Sequence, residues 1–298
     1  MMVFDSRFEK KRYLMGLDAS VRCRCWEEGK CTPPPYSDFV HLDNEGYVNL
    51  DLPWQSHRDE HRIFYRWQES CCPHKGMNYA IQRISNWTGY RLFQQKLEEI
   101  GWGKFPSLQE TLPSANGGRT YPELAARALI ELDLFAEQDF GHMTALIDQD
   151  TGRVLHHYVE AYEGLFYMGP GWSAGVAPEG FFIRRESLRF LRKFGMRTQV
   201  RVVFRSNRFT QEIIRRRRFR LRDVETGLTI TTPIGIATEI ISSDSISSDG
   251  NKDCRSIHAK NLAVEQRRAD ASKFAYILKP LKIVFRAAIE TGNPVRWF

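Results

Sequence analysis

The sequence predicts an α+β protein: a helical domain with short N-terminal strands, together with an antiparallel β-rich module. Three observations carry that prediction. Apolar residues recur at spacings of three and four between His57 and Phe135, and again between Phe274 and Ala288, as amphipathic helices require. After Gly141 the period changes to two, in short runs bounded by turn residues such as DQDTG and DVETG. At 298 residues, with 42% apolar and 27% charged residues, the chain can bury a core as one large or two ordinary domains.

Residues 15–26, MGLDASVRCRCW, alternate like a short strand. A proline-rich loop, KCTPPPYSD, leads to a hairpin, HLDNEGYVNLDL, turning at Asn44, Glu45 and Gly46. A helix is expected from about His57, with Ile63, Phe64 and Trp67 on one face. It must end before CCPH, because Pro73 lacks a donor and restricts Cys72. A second helix reads from about Met77 to Ile100, its stripe formed by Tyr79, Ile81, Ile84, Leu92, Phe93 and Leu97. A third runs through YPELAARALIELDLF, with Pro122 in its first turn.

The strands of the β-rich part are MTALID, RVLHHYV, GLFYM, GFFIR, QVRVVFR, EIIRRRRFRLR and GLTITTP. GPGWSAG (169–175) and ANGG (115–118) match neither a phosphate-binding loop nor a dinucleotide fingerprint, and read as turns. SSDSISSDGNKD (242–253) reads as a mobile loop. Phe274, Ile277, Leu278, Leu281, Val284, Phe285 and Ala288 stripe a last helix, which TGNP ends before a final strand, PVRWF.

The net charge of +7 is concentrated: Arg184 to Arg222 holds fifteen Arg or Lys against two Glu, so the rest of the chain is acidic. No run approaches eighteen apolar residues, so no membrane span is expected. The first fourteen residues are charged throughout and lack the apolar core of a secretory signal; they read as an extension before Met15. A cytoplasmic setting is expected, where thiols stay reduced and clustered cysteines serve more often as metal ligands than as disulfides.

Five of the six cysteines lie in two short stretches, CRCWEEGKC and CCPH. Structural zinc is held by thiolate and imidazole ligands on turn-like supports, commonly as two close pairs. Cys23 with Cys25 is one such pair, and Cys72 with His74 is another. Cys31 and Cys71 are possible substitutes, and His41, His57 or His61 could reach in. The competing reading is that free cysteines are buried as small apolar residues.

MGLDASVRCRCWEEGK followed by PPP, Trp67 shortly before Cys72-Pro73-His74 and Gly76, and the final TGNPVRWF resemble a group of bacterial proteins of unassigned activity. These share an MGLD start, a C-x-C-aromatic-E-x-G segment, a Cys-Glu-His triplet and a helix ending in G-[KN]-P. The resemblance covers roughly residues 15–125 and 270–298, and departs at Pro73, Cys71 and Cys31. It implies the ligand set Cys23, Cys25, Cys72 and His74, with Cys31 outside it. It also implies that the β module is an insertion: residues 15–140 with 259–298 as a zinc-site domain, and 141–258 as the inserted basic module. Defence or toxin–immunity biology is the setting it points to.

Two other chemistries compete. HRDEH fits the H-x-x-E-H pattern of zinc peptidases, with His57 and His61 as ligands, Glu60 as base, and Glu131 or Glu137 as a third ligand. Arg215, Arg216, Arg217, Arg218, Arg220 and Arg222 could instead form a cationic β surface for nucleic acid or another phosphate-rich ligand, or for an acidic protein partner. Alternation breaks at RRRR, so a bulge, an inward arginine or an exposed edge is expected there. The leading expectation is a non-catalytic interaction protein with structural Zn2+, because four protein ligands leave no open position on the metal.

Overall fold

The computed structural model describes residues 16–43, 46–191, 195–215, 218–246, 252–269 and 271–298; for the described residues within 187–199 and 238–256 it gives the backbone alone. The 1–14 extension therefore lies outside the described residues. The protein is α+β, and the chain divides into two compact units. One comprises residues up to Asp139 together with Asp270–Phe298, and the other is Phe140–Ala269.

The first unit is built on β1 (Gly16–Arg22), whose Leu17, Ala19 and Val21 are buried. The hairpin strands β2 (Val40–Leu42) and β3 (Val48–Leu50) follow, then α1 (Arg58–Gln68). β4 (Asn78–Asn86) runs directly into α2 (Trp87–Ile100), followed by α3 (Pro106–Thr111), β5 (Arg119–Thr120) and α4 (Pro122–Ala136). The chain returns as α5 (Ala275–Thr291) and a terminal strand, Val295–Trp297. That strand lies between β1 and β5, and β4 flanks the other edge of β1. Helices α4 and α5 pack together, with Phe93, Phe135 and Phe274 in edge-on and tilted ring contact.

The helix expected from Met77 begins only at Trp87. Asn78–Asn86 is a strand because β1 needs a partner along its whole length, from Gly16 opposite Asn86 to Arg22 opposite Asn78. Tyr79 and Ile81 are accordingly exposed instead of forming a helical stripe. Asn86 makes the switch: its backbone is extended, and its side chain accepts the Gly89 amide at 2.7 Å as the helix cap.

Among the described residues the second unit holds twelve strands, β6 (His142–Asp148), β7 (Val154–His157), β8 (Leu165–Gly169), β9 (Trp172–Ala177), β10 (Gly180–Leu191), β11 (Gly195–Ser206), β12 (Arg208–Arg215), β13 (Arg218–Asp223), β14 (Thr229–Thr232), β15 (Ala237–Ile246), β16 (Lys252–His258) and β17 (Asn261–Arg268). They form an antiparallel six-stranded sheet ordered β14-β13-β12-β17-β6-β7, a four-stranded sheet ordered β11-β10-β9-β8, and the β15–β16 hairpin. Leu146, Val176, Phe181, Phe204, Phe209 and Leu262 form the shared core.

Three expectations are corrected here. The C-terminal boundary of this unit lies after Ala269, not after residue 258, because β17 pairs along β6 from Leu262 opposite Asp148 to Arg268 opposite His142. GPGWSAG runs into a strand, β9, where Gly175 leaves room for the Phe182 ring against its backbone. The serine-rich stretch is strand up to Ile246 and again from Lys252; residues 247–251 lie outside the described residues. Among the described residues no helix is long and apolar enough to cross a membrane.

Candidate metal centre

Two element ends deliver the cysteines. β1 stops at Arg22, and the next amide, Cys23, donates to the Met77 carbonyl at 3.0 Å. The chain then turns back on itself, with Lys30 donating to the Cys25 carbonyl at 2.8 Å and Gly29 in the left-handed region at φ 67°. On the opposite side, α1 ends at Gln68, and Cys71 to His74 lead into a turn where the Met77 amide donates to the His74 carbonyl at 2.9 Å. The Arg22 guanidinium donates to the Gly76 carbonyl, so the two turns are tied to each other directly.

Cys23, Cys25, Cys72 and His74 converge, their ligand atoms all within 4.8 Å of one another. Cys23 Sγ lies 3.8 Å from Cys72 Sγ, and Cys25 Sγ lies 3.2 Å from His74 Nδ1. These groups are close enough to bind one metal ion. Around them Val48, Leu50, Phe64 and Met77 form a small apolar core, closed by Trp26 and Trp67 in edge-on contact. Burial pushes the Cys23 thiol up to about 12 and also raises Cys25. Without a cation the pocket therefore favours neutral thiols, and a bound ion supplies the charge that thiolates need. A cavity of about 460 Å³ borders Cys25 and His74, with Lys30, Tyr79 and Glu290 on its walls.

Cys31 and Cys71 are not remote from the centre. With Cys72 they form a second group whose sulfurs also lie within 4.8 Å of one another, and Cys71 Sγ is 3.7 Å from Cys31 Sγ. Sequence reasoning set Cys31 aside; no local signal marks it, because a tertiary hydrogen bond, Thr32 N–H to the Cys71 carbonyl at 2.9 Å, brings it in.

The residues of the peptidase-like motif are not brought together as a ligand group. His57 precedes α1 with non-helical angles, and its Nδ1 lies 2.8 Å from the Ser56 hydroxyl. His61 is buried and donates from Nε2 to the Leu52 carbonyl at 2.8 Å. Glu131 caps α3, its carboxylate accepting the Ser107 and Leu108 amides at 2.9 and 2.7 Å. Glu60, Glu137 and His41 belong to neither cysteine group.

In the second unit, Arg218, Arg220 and Arg222 are exposed along one face of β13, alternating with buried Phe219, Leu221 and Asp223. Arg215, exposed at the end of β12, lies opposite Arg218 at the start of β13, so the run expected as one strand is divided between two antiparallel strands; the register slips earlier, between Ile213 and Arg215. Arg220 pairs with Glu212 at 2.9 Å. Arg216 and Arg217 lie outside the described residues. No known protein family, curated protein or solved structure matches the chain, so the bacterial resemblance rests on the quoted motifs alone.

Proposed function

We propose that the chain is a non-catalytic interaction protein whose first unit is held together by a structural Zn2+ on Cys23, Cys25, Cys72 and His74. One observation carries the metal assignment. Tetrahedral zinc, with sulfur at about 2.3 Å and nitrogen at about 2.0 Å, separates two sulfurs by about 3.8 Å and sulfur from nitrogen by about 3.5 Å. The corresponding separations in the structure are 3.8 and 3.2 Å. Four protein ligands fill the coordination shell, so this ion works as a clamp between the end of β1 and the turn after α1, without an open position for substrate.

The interaction role rests on the cationic face of β12 and β13, whose exposed arginines suit an acidic partner. Metal analysis of purified protein tests the first part. His74→Ala is expected to lose zinc together with thermal stability, while His57→Ala keeps both. Metal lost only in His57→Ala would overturn the assignment.

A second reading, nucleic-acid binding, is favoured by the unbroken exposed row Arg218, Arg220 and Arg222 on one strand face. It requires affinity for DNA or RNA that falls steeply with salt, with a slope of about −0.7 to −0.9 per phosphate neutralised, and is reduced when these three become Ala. Binding that ignores those substitutions would sink it.

A further inference from the structure

We propose that Cys31, Cys71 and Cys72 form a second metal position that shares the Cys72 thiolate with the first, so that the centre is binuclear and takes two thiophilic d10 ions such as Zn2+ or Cd2+. This rests on the first ion occupying the Cys23, Cys25, Cys72 and His74 set. A thiolate sulfur carries more than one lone pair, so it can bridge two soft cations. Cys72 is the residue common to both groups of mutually close ligand atoms.

The backbone holds Cys31 in place from both sides. The amide before it, Lys30, donates to the carbonyl of Cys25, a ligand of the first position, at 2.8 Å. The amide after it, Thr32, donates to the carbonyl of Cys71 at 2.9 Å. Thr32 is itself anchored, its carbonyl accepting the Trp67 indole N–H at 3.0 Å. Cys31 is thus fixed between one ligand of each position. The Cys31–Cys71 sulfur separation of 3.7 Å is close to the roughly 3.8 Å edge of a tetrahedral thiolate site. It is well beyond a disulfide bond of about 2.05 Å. On binding, the Cys31 and Cys71 S–H bonds break and both protons pass to water, while three sulfur–metal bonds form, two to these new thiolates and one to the Cys72 thiolate already on the first ion. The three protein sulfurs leave the fourth position of the second ion to a solvent ligand.

The test uses the full chain, purified with reductant, stripped of metal and titrated with Cd2+ without air. Native mass spectrometry counts the ions, and the sulfur-to-cadmium charge-transfer band reports the bonds. Two ions per chain are expected. Cys31→Ser with Cys71→Ser should bind one ion with an unchanged circular dichroism spectrum, and the band should fall by about half, since three of six sulfur–metal bonds are lost. If that double variant does not fold, Cys31→Ser alone serves, because Cys31 is only partly buried. Saturation at one ion that is lost in His74→Ala but kept in Cys31→Ser would overturn the second position and leave the first. A chain that binds no ion would overturn both. A Cys31–Cys71 disulfide in the reduced preparation, or two ions in the double variant, would also refute the proposal.

Discussion

Cys25 Sγ meets His74 Nδ1 at 3.2 Å although 49 residues separate them. The contact joins the turn after β1 to the turn after α1, at the edge of the small apolar core of Val48, Leu50, Phe64 and Met77. If a metal clamps the two, its removal should loosen the first unit. A structural zinc site contributes about 10–16 kcal/mol of apparent binding free energy, so one ligand in four accounts for about 3 kcal/mol. His74→Ala and Cys25→Ser should each weaken zinc more than roughly 100-fold. Chelator should lower the thermal midpoint of the unaltered chain. Calorimetry with and without chelator checks this; identical midpoints would contradict the clamp.

Metal affinity should fall with pH. Burial raises the Cys23 thiol to about 12 and raises Cys25 as well, so both carry protons at neutral pH in the metal-free chain and lose them on binding. From these two groups alone, apparent affinity should drop roughly 100-fold for each unit of pH decrease. Competition against a chelator of known pH dependence, at pH 6, 7 and 8, measures the slope. In the metal-free chain the sign reverses: the folded Cys23 keeps a proton that the unfolded chain sheds. Stability present below pH 9 is then lost as pH rises toward about 12.

Glu131 should matter for folding and not for metal. It is buried, and both its oxygens accept backbone amides at the start of α3. Glu131→Ala leaves two amides unpaired and should cost about 2–3 kcal/mol in denaturant unfolding, with zinc content unchanged. Loss of zinc in this variant would revive the peptidase reading.

The second unit should weaken in mild acid through His156. Its ring stacks on Phe166 at 3.8 Å and 3°, and burial lowers its pKa from 6.5 to about 4. Between those values the unfolded chain binds more protons, so stability is whole above pH 6.5 and declines as pH falls toward 4. The loss should reach about 3 kcal/mol at most. Urea midpoints from pH 7 to 4 report it, and His156→Phe should flatten that part of the profile. An equally steep profile in the variant would place the proton elsewhere.

How much of this was legible in the sequence varied with how local the cause was. The stripe of α5 was legible because Ile277, Leu281, Val284 and Phe285 face one core at helical spacing. So was the convergence of the C-x-C and C-x-H pairs, since both sit where an element has just ended. β4 was not: Tyr79, Ile81 and Ile84 fit a helix or a strand, and the choice was made by β1, sixty residues away in register. Nor was the placement of Cys31, which depends on Thr32 and Trp67. Nor could the five letters of HRDEH reveal that His61 Nε2 donates to the Leu52 carbonyl.

The strand Val295–Trp297 sits between β1 and β5, yet the chain reaches it only after passing through the whole of the second unit. During synthesis the second unit, which is continuous, is complete and free to fold while β1 still lacks its central neighbour. A chain truncated between residues 270 and 294 would therefore combine a finished β unit with a first unit whose strand edge is open, the kind of edge that recruits other chains. Removing Val295–Trp297 should promote aggregation of the first unit while leaving the strands of the second unit intact.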